Sequence, residues 1–333
     1  MHRTQWKLPL FVGIILALTV ACSSSESLTS ENGSASEALT MPAVFSEGRI
    51  FLEAVTTDHD TLRFFTDSAE STLIYQASVE SLGLVTSSIH INGQVQQVAF
   101  LPTSLDDTSL PPPLISDGLI PVRPDHRKPP HHEDILGEAD GILGVTWFAD
   151  RIWTIDYVRE ELILNPSYPE ISERNNDSTT PLHFRKEGDE RAYHFARLDA
   201  IVAKDTLSLI LKTGGSIVLS DPALTQLNAP KKHIPAGLIS ESMYQKWVSE
   251  NPDWIIYEEA DRYYGSDIIE VPSVRFGSYL ATNVRFAVRR DEVFEDWFSA
   301  FTDKPVSGAL GPDAFQHTRI TIDYPNSLLI IHE

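Results

Sequence analysis

The chain alternates short apolar runs with clusters of turn-forming residues, a pattern typical of β-strands. Residues 49–55 and 61–66 are two such runs, separated by aspartate-rich turn residues. A third run, residues 88–101, is divided by an Asn-Gly pair, which tolerates the positive φ of a type I′ hairpin turn. Short helices are predicted over residues 240–251 and 291–298. The pattern therefore predicts an all-β fold with a few short helices.

An internal repeat runs through the chain. The tetrapeptide Thr-Ile-Asp-Tyr occupies residues 154–157 and again residues 321–324. An apolar-apolar-Gly step precedes each copy at the same distance, with its glycine at Gly144 or Gly311. Self-similarity of this kind indicates that one structural unit is present twice.

The repeat extends upstream and sets the domain boundaries. Residues 62–71 align with residues 207–216, where a predicted strand enters a tight turn of small and hydroxylated residues. We therefore expect an N-terminal lobe over residues 43–166 and a C-terminal lobe over residues 190–333. The polar residues 167–189 between them are predicted to be a linker.

The N-terminus has the features of a secretory signal. A short basic region precedes the apolar residues 8–21, which are too few to span a bilayer comfortably. The run ends at Cys22 and resembles a bacterial lipobox, so residues 1–21 are predicted to be removed and Cys22 lipidated. The alternative is an ordinary cleaved signal with an incidental cysteine. Residues 22–42 are rich in Ser and predict a flexible tether, and Ser23 favours the outer membrane of the bacterial envelope.

Composition excludes several classes of protein. The 333 residues are 42% hydrophobic and 22% charged, which is a globular composition. The net charge of −21 argues against binding to nucleic acid, because phosphate backbones would repel the chain. Cys22 is the single cysteine, so disulfides within the chain and thiolate zinc sites are excluded.

Two further segments carry chemistry-bearing side chains. Residues 125–134 contain three histidines with carboxylates beside them, but their spacing matches no known metal site and a solvated loop is favoured. No metal and no cofactor is therefore predicted. Residues 257–264 contain three tyrosines, which either line a peptide-binding cleft or belong to a solvent-facing strand and turn.

The order of these motifs resembles the retropepsin-like aspartic proteases, including the pepsin-type enzymes with two lobes. The resemblance rests on the Asp-Ser-Ala-Glu-Ser turn at residues 67–71, on residues 140–148 and on the two Thr-Ile-Asp-Tyr segments. It covers the chain from about residue 43 onwards. It implies two homologous β-barrel lobes with a cleft between them, and one catalytic Asp from each lobe. Two such carboxyls share one proton, and the ionised one activates a water.

The resemblance assigns roles residue by residue. Asp67 matches the first catalytic Asp, whereas Lys212 stands where the second should be. Further positions match or replace residues that support the cleft: Ser68 and Thr213 for the cross-lobe hydroxyls, Ala69 for the first-lobe Gly, Glu70 for the usual Ala, and the glycines Gly214, Gly144 and Gly311. We expect Lys212 to lie near Asp67, to lower its pKa and to hold it ionised. That arrangement predicts no ordinary peptidase activity.

Three functions are consistent with this asymmetry. The first is a lipid-anchored, degenerate protease that binds an extended peptide or protein segment in the cleft, which requires no catalytic dyad. The second is an active aspartic endopeptidase in which Asp67 works with Glu70, Lys212 or a second chain. The third is a purely structural envelope protein. The expected partners are thus a peptide or protein segment and, through the lipid, a membrane; no oligomeric state is predicted.

Overall fold

Strands from the two halves of the chain form two separate lobes and one sheet that joins them. The computed structural model describes residues 38–55, 61–91, 94–100, 110–114, 118–124, 134–166 and 178–332. The prediction of an all-β fold with two related lobes and few short helices is confirmed.

The N-terminal lobe is built on one sheet of eight strands, in the spatial order β2-β3-β4-β9-β5-β8-β7-β6. The strands are β2 Ala43–Ser46, β3 Arg49–Val55, β4 Thr61–Thr66, β5 Leu73–Tyr75, β6 Thr86–Ile91, β7 Gln94–Phe100, β8 Leu119–Arg123 and β9 Gly141–Leu143. The predicted hairpin is confirmed, because β6 and β7 pair antiparallel from Ile91 and Gln94 outwards. Helix α1, Gln76–Ser81, follows β5, and the short helix α2, Val145–Phe148, follows β9.

The C-terminal lobe contains a closed barrel of six strands, in the order β15-β16-β23-β19-β22-β21. Its strands are β15 Arg197–Val202, β16 Asp205–Leu211, β19 Gly237–Ser240, β21 Ile268–Phe276, β22 Tyr279–Arg289 and β23 Gly308–Leu310, with β20 Ile255–Tyr257 beside β21. Closure comes from the pairing of β15 with β21. A small hairpin of β17, Ser216–Val218, and β18, His233–Pro235, encloses helix α3, Asp221–Gln226.

The two predicted helical segments of this lobe are present. Helix α4, Glu241–Glu250, begins after Ser240, whose hydroxyl accepts a hydrogen bond from the Met243 N–H and so satisfies one of the first-turn donors. Near residues 291–298 the chain forms a π-helical turn, Val293–Trp297, followed by a 3₁₀ turn, Phe298–Phe301. A further 3₁₀ turn covers Pro312–Ala314.

A six-stranded sheet connects the lobes, in the order β1-β11-β10-β24-β25-β12. Its strands are β1 Leu39–Thr40, β10 Ile152–Asp156, β11 Glu161–Asn165, β12 Ser178–Pro181, β24 Arg319–Asp323 and β25 Leu328–His332. The two Thr-Ile-Asp-Tyr segments pair antiparallel at its centre, where Thr154 lies opposite Thr321 and their hydroxyls are 2.7 Å apart. The sequence repeat therefore corresponds to an approximate two-fold relation between the lobes.

Several predicted boundaries fall at the edges of the described residues. The predicted signal, Cys22, most of the tether, residues 125–133 and residues 167–177 of the predicted linker lie outside them. The last residues of the predicted tether are folded, because β1 pairs with β11. The second part of the predicted linker contains β12 and strand β13, Lys186–Glu187, which pairs with β14, Glu190–Arg191. No helix in the described part of the chain is long and apolar enough to cross a membrane.

The lobes share one strand order, and one difference between them is large. In the N-terminal lobe, the turn after β4 leads to the short strand β5, which pairs antiparallel with β9 and parallel with β8. In the C-terminal lobe, the turn after β16 leads to β19, which pairs in the same way with β23 and β22. In the C-terminal lobe, residues 216–235 intervene between the turn and that strand. We call them the inserted segment. The sequence alignment of the repeat is thus correct up to Gly215, but Ser216 belongs to the inserted segment rather than matching Ser71.

Candidate active site

The turn that follows β4 holds Asp67 in a fixed backbone conformation. The Asp67 N–H donates to the Leu143 carbonyl at 3.1 Å, and the Glu70 N–H donates to the Asp67 carbonyl at 3.2 Å. The Ala69 N–H donates to Asp67 Oδ1 at 2.9 Å, which orients the carboxylate. Only 1% of the Asp67 side chain is exposed, so the carboxyl is enclosed by protein.

The turn that follows β16 repeats this geometry with a different side chain. The Lys212 N–H donates to the Leu310 carbonyl at 3.0 Å, and the Gly215 N–H donates to the Lys212 carbonyl at 3.3 Å. Leu143 and Leu310 end equivalent strands, so the two hydrogen-bond patterns match one to one. Lys212 therefore occupies the C-terminal counterpart of the Asp67 position.

Two buried hydroxyls tie the turns to one another. The Ser68 N–H donates to Thr213 Oγ1 at 3.0 Å, and the Thr213 N–H donates to Ser68 Oγ at 3.2 Å. Ser68 Oγ also donates to the Leu211 carbonyl at 2.8 Å. Because both side chains are fully buried, these bonds fix the relative positions of the lobes at the site.

Small residues allow the backbones to approach. A Cβ on Gly144 would overlap the carbonyl of Glu70, and a Cβ on Gly311 would overlap the carbonyl of Ala236. A Cβ on Gly214 would lie 2.7 Å from the Asp67 side chain. The departure from glycine at Ala69 is accommodated, because its methyl group packs in a buried apolar cluster of the opposite lobe.

The charged groups form a triad of one ammonium and two carboxylates. Lys212 Nζ lies 2.6 Å from Asp67 Oδ2 and 3.1 Å from Glu70 Oε1. The Lys212 side chain is 12% exposed and that of Glu70 is 41% exposed, so the pair with Glu70 faces solvent. The structure thus brings Asp67 and Lys212 together, and it adds Glu70 as a second partner of the lysine, which sequence reasoning missed.

The sequence predicts a lowered pKa for Asp67, and this prediction is wrong. Burial is the largest influence and raises the pKa of the Asp67 carboxyl, although the Lys212 ammonium pulls that pKa down. Burial would by itself lower the pKa of Lys212, but the negative charges of Asp67 and Glu70 outweigh it and raise that pKa. The lysine therefore stays a cation at neutral pH. The sequence does not report the desolvation of the Asp67 carboxylate, which is the reason for the difference.

This arrangement supplies different chemistry from a dyad that shares one proton. Both oxygens of Asp67 accept hydrogen bonds, one from Ala69 and one from Lys212. The lysine ammonium occupies the place from which a protonated carboxyl would polarise a carbonyl. Both oxygens of Asp67 are therefore occupied by protein donors, and the charged group in contact with them is an ammonium rather than a second carboxyl.

A cavity of about 140 Å³ lies over the charged groups. Its floor contains Asp67, Glu70 and Lys212. The apolar walls come from both lobes and consist of Phe65, Ile135, Leu136, Ile142, Ile217 and Leu238. Tyr264 and Arg289 complete the rim, with the guanidinium 3.9 Å from the centre of the tyrosine ring. Of the tyrosine segment at residues 257–264, Tyr264 lines this cavity.

The described residues contain no group of three or more His, Asp or Glu side chains arranged to hold a metal ion. Most of the histidine-rich segment lies outside those residues, so the structure does not bear on it.

The chain matches no protein-family model and no curated protein. Solved structures do match. The aspartic proteinase from Irpex lacteus is 11% identical with a TM-score of 0.50, over 89% of this chain and 97% of that one. Conglutin gamma, a basic 7S globulin from lupine seeds, is 10% identical with a TM-score of 0.41, and the basic 7S globulin from soybean is 8% identical with a TM-score of 0.43. Each of these two covers 89% of this chain and 95% of its own. The likeness to the Irpex lacteus structure shows that the chain has the pepsin-like aspartic proteinase fold.

Proposed function

We propose that this protein is a lipid-anchored, non-proteolytic member of the bacterial envelope that binds an extended peptide or protein segment between its lobes. The observation that carries the proposal is the 2.6 Å ion pair between Lys212 Nζ and Asp67 Oδ2. This ion pair lies where the aspartic proteases that the chain resembles have a pair of carboxyls.

The absence of proteolysis follows from the protonation states of the groups at the site. Attack of water on a peptide carbonyl needs a general base that accepts a proton from the water and a general acid that donates a proton to the carbonyl oxygen. Here the acid position holds an ammonium whose pKa is raised by two carboxylates, so it releases no proton at neutral or acidic pH. The hydroxyl bonds between Ser68 and Thr213 preserve the shape of the site without restoring this step.

Binding of an extended segment is supported by the shape of the lobes. The cavity over Lys212 has mostly apolar walls, which suit one apolar side chain with its backbone outside. Among the described strands, β6 and β20 each lie at an edge of their sheets and pair on one side only. An extended chain can add to such an edge through backbone hydrogen bonds, and apolar pockets then select its side chains.

The first experiment asks whether the chain cleaves peptides. A peptide library is incubated from acidic to neutral pH with the wild-type protein and with Asp67→Asn as a matched variant, and new termini are identified by mass spectrometry. We expect none in either sample. Cleavage by the wild type that disappears in Asp67→Asn would establish the competing function, an endopeptidase that uses Asp67 with an unusual partner.

The second experiment asks whether the chain binds peptides. Fluorescence polarisation with a pool of labelled extended peptides measures affinity for the wild type and for Leu238→Glu, which places a charge on the cavity wall. We expect binding by the wild type and weaker binding by the variant. Equal affinity of the two proteins would place the peptide elsewhere, and no binding by either would favour a structural role.

The lipid anchor is tested separately in cells. Labelled palmitate should be incorporated into the wild-type protein and not into Cys22→Ser, which keeps the rest of the signal unchanged. Incorporation into both proteins, or release of the wild type as a soluble form, would leave an ordinary secretory signal as the explanation for residues 1–21.

A further inference from the structure

The inserted segment of the C-terminal lobe reaches across to the N-terminal lobe beside the site. Lys231 forms an ion pair with Glu47, in the turn between β2 and β3. Pro235 packs against Gly48 in the same turn, close enough that a Cβ on that glycine would not fit. His233 Nε2 lies 2.8 Å from the Asp134 carbonyl oxygen. Three residues of the inserted segment therefore contact one side of the N-terminal lobe.

The loop that ends at β21 strengthens this crossing. The Tyr263 hydroxyl donates to the carboxylate of Asp134. This loop is joined to the inserted segment, because the Arg262 N–H donates to the Val218 carbonyl at 2.9 Å and the Ser220 N–H donates to the Ala260 carbonyl at 2.8 Å. The inserted segment and the loop thus form one connected element of the C-terminal lobe.

Both sides of the crossing are rigid within their own lobes. Ile217, Leu219 and Ile234 of the inserted segment are buried in an apolar cluster of the C-terminal lobe. On the other side, the buried Arg49 pairs with Glu47 and donates to the Ile135 carbonyl at 2.9 Å. Pro235 against Gly48 is the one apolar contact among those named above, and the others are polar, with 65% of the Lys231 side chain exposed. Such contacts are weak, so the two rigid sides can separate.

The crossing lies beside the space over the Asp67–Lys212 pair and narrows it. Ile135 and Leu136 from the N-terminal lobe and Ile217 and Tyr264 from the C-terminal lobe line the cavity together. The cavity of about 140 Å³ admits one side chain, whereas a segment of several residues needs a continuous groove. We therefore expect that seating a segment of several residues requires these four side chains to move apart.

We propose that the inserted segment is a gate, and that its contacts with Glu47, Gly48 and Asp134 hold the interlobe cleft closed until an extended segment displaces them. The inference rests on the proposed peptide-binding function and adds its regulation. A ligand that binds only the open state has an apparent affinity reduced by the fraction of molecules that are open. Weakening the gate should therefore increase affinity without changing any residue on the cavity wall.

The test compares the double variant Lys231→Ala/Tyr263→Phe with the matched control Lys232→Ala. Lys232 is the neighbouring exposed lysine, and its side chain forms no ion pair with the described residues. Hydrogen–deuterium exchange of residues 134–139 reports on opening, and fluorescence polarisation with the labelled peptide pool reports on binding. Thermal unfolding verifies that all three proteins are folded.

We expect exchange of residues 134–139 to accelerate in the double variant and affinity for the peptides to rise about fivefold, the size of effect that loss of an exposed ion pair and a hydrogen bond allows. The control should match the wild type in both measurements. Unchanged exchange in the double variant overturns the gate, whatever the binding result. Faster exchange with no peptide bound by any of the proteins supports the gate and overturns the peptide-binding function instead.

Discussion

The turns at residues 67–70 and 212–215 have the same backbone hydrogen-bond pattern, but their first residues carry side chains of opposite charge. Each begins with an N–H bonded to the end of an equivalent strand and closes with the same i to i+3 hydrogen bond. Each supplies one hydroxyl to the other lobe. The comparison teaches that the shape of this site depends on backbone and hydroxyl contacts, so it forms with a carboxylate in one turn and a lysine in the other.

The two turns also lead into chain segments of different length. Glu70 leads almost directly to β5, whereas Gly215 leads to the inserted segment, whose base is closed by a 3.1 Å bond from the Ala236 N–H to the Gly215 carbonyl. One lobe thus supplies the carboxylates of the site, and the other supplies both the cation and the element that crosses the cleft. The asymmetry in charge and the asymmetry in chain length lie at the same turn.

The largest loss of stability is expected when the Lys212 cation is removed. Lys212→Met leaves Asp67 buried without its partner, and we expect a loss of about 3–5 kcal/mol in the free energy of unfolding. Because the folded-state pKa of Asp67 is raised, its contribution to stability is present below its unfolded pKa and is lost as pH rises through the folded value. Urea denaturation at several pH values measures both effects. The double variant Asp67→Asn/Lys212→Met is the control and should recover most of the loss; a single variant as stable as the wild type would refute the pairing.

A matched pair of glycine substitutions tests whether the lobes are equivalent. Gly144→Ala and Gly311→Ala each place a methyl group against a carbonyl of the chain segment beneath, at Glu70 and Ala236. We expect each to lose about 3 kcal/mol, the upper part of the range for overpacking, because backbone cannot move aside easily. Thermal unfolding gives the comparison. Gly188→Ala, where a Cβ would meet no atom within 4 Å but φ is +65°, measures backbone strain without crowding and so separates the two causes. Tolerance of either site variant would contradict the equivalence.

The two cross-lobe hydroxyls differ in the number of hydrogen bonds that they make, two for Ser68 and one for Thr213. Ser68→Ala leaves the Thr213 N–H and the Leu211 carbonyl without this partner, whereas Thr213→Val affects the Ser68 N–H. We expect losses of about 2 and about 1 kcal/mol in the free energy of unfolding, in that order. Chemical denaturation resolves the difference, with Thr213→Ser retaining the hydroxyl as the control. The reverse order would show that Thr213 carries the larger share.

The last expected effect is a gain rather than a loss of stability and lies at Asp313, in the C-terminal counterpart of α2. Burial raises the pKa of this carboxyl to about 6, although Arg285 opposes the shift. Stability from this group is therefore present below its unfolded pKa and is lost as pH rises through about 6. Asp313→Asn should remove that part of the pH dependence and should be more stable than the wild type at neutral pH, where the wild type has lost this contribution. Parallel pH profiles for the variant and the wild type would place the titration elsewhere.

Much of this molecule can be predicted from its sequence, for local reasons. The β6–β7 hairpin and α4 follow from turn and cap residues within a few positions of each element. The repeat predicts two related lobes with Thr154 and Thr321 at equivalent positions, and the structure adds that their strands pair. The proximity of Asp67 and Lys212 is what the resemblance to the aspartic proteases implies, and the structure shows it.

The remaining features depend on contacts between residues far apart in the chain. The pKa of Asp67 is raised because both lobes enclose it, and no local pattern reports that burial. Glu70 joins Lys212 only once the turns face each other. The contacts of Lys231 with Glu47 and of Tyr263 with Asp134 have no signal in either segment alone. The tyrosine-rich sequence was the one partial indication, since it suggested a side chain at the cleft.

The sheet that joins the lobes also bears on how the chain reaches this structure. The hydroxyls of Thr154 and Thr321 meet across 167 positions of sequence. Until β24 is synthesised, the outer edge of β10 has no strand beside it, and an exposed edge is a template for pairing with other chains. Contacts of such long range also form slowly. We therefore expect the half-made N-terminal lobe to be the stage of biogenesis most vulnerable to aggregation, and the most dependent on chaperones.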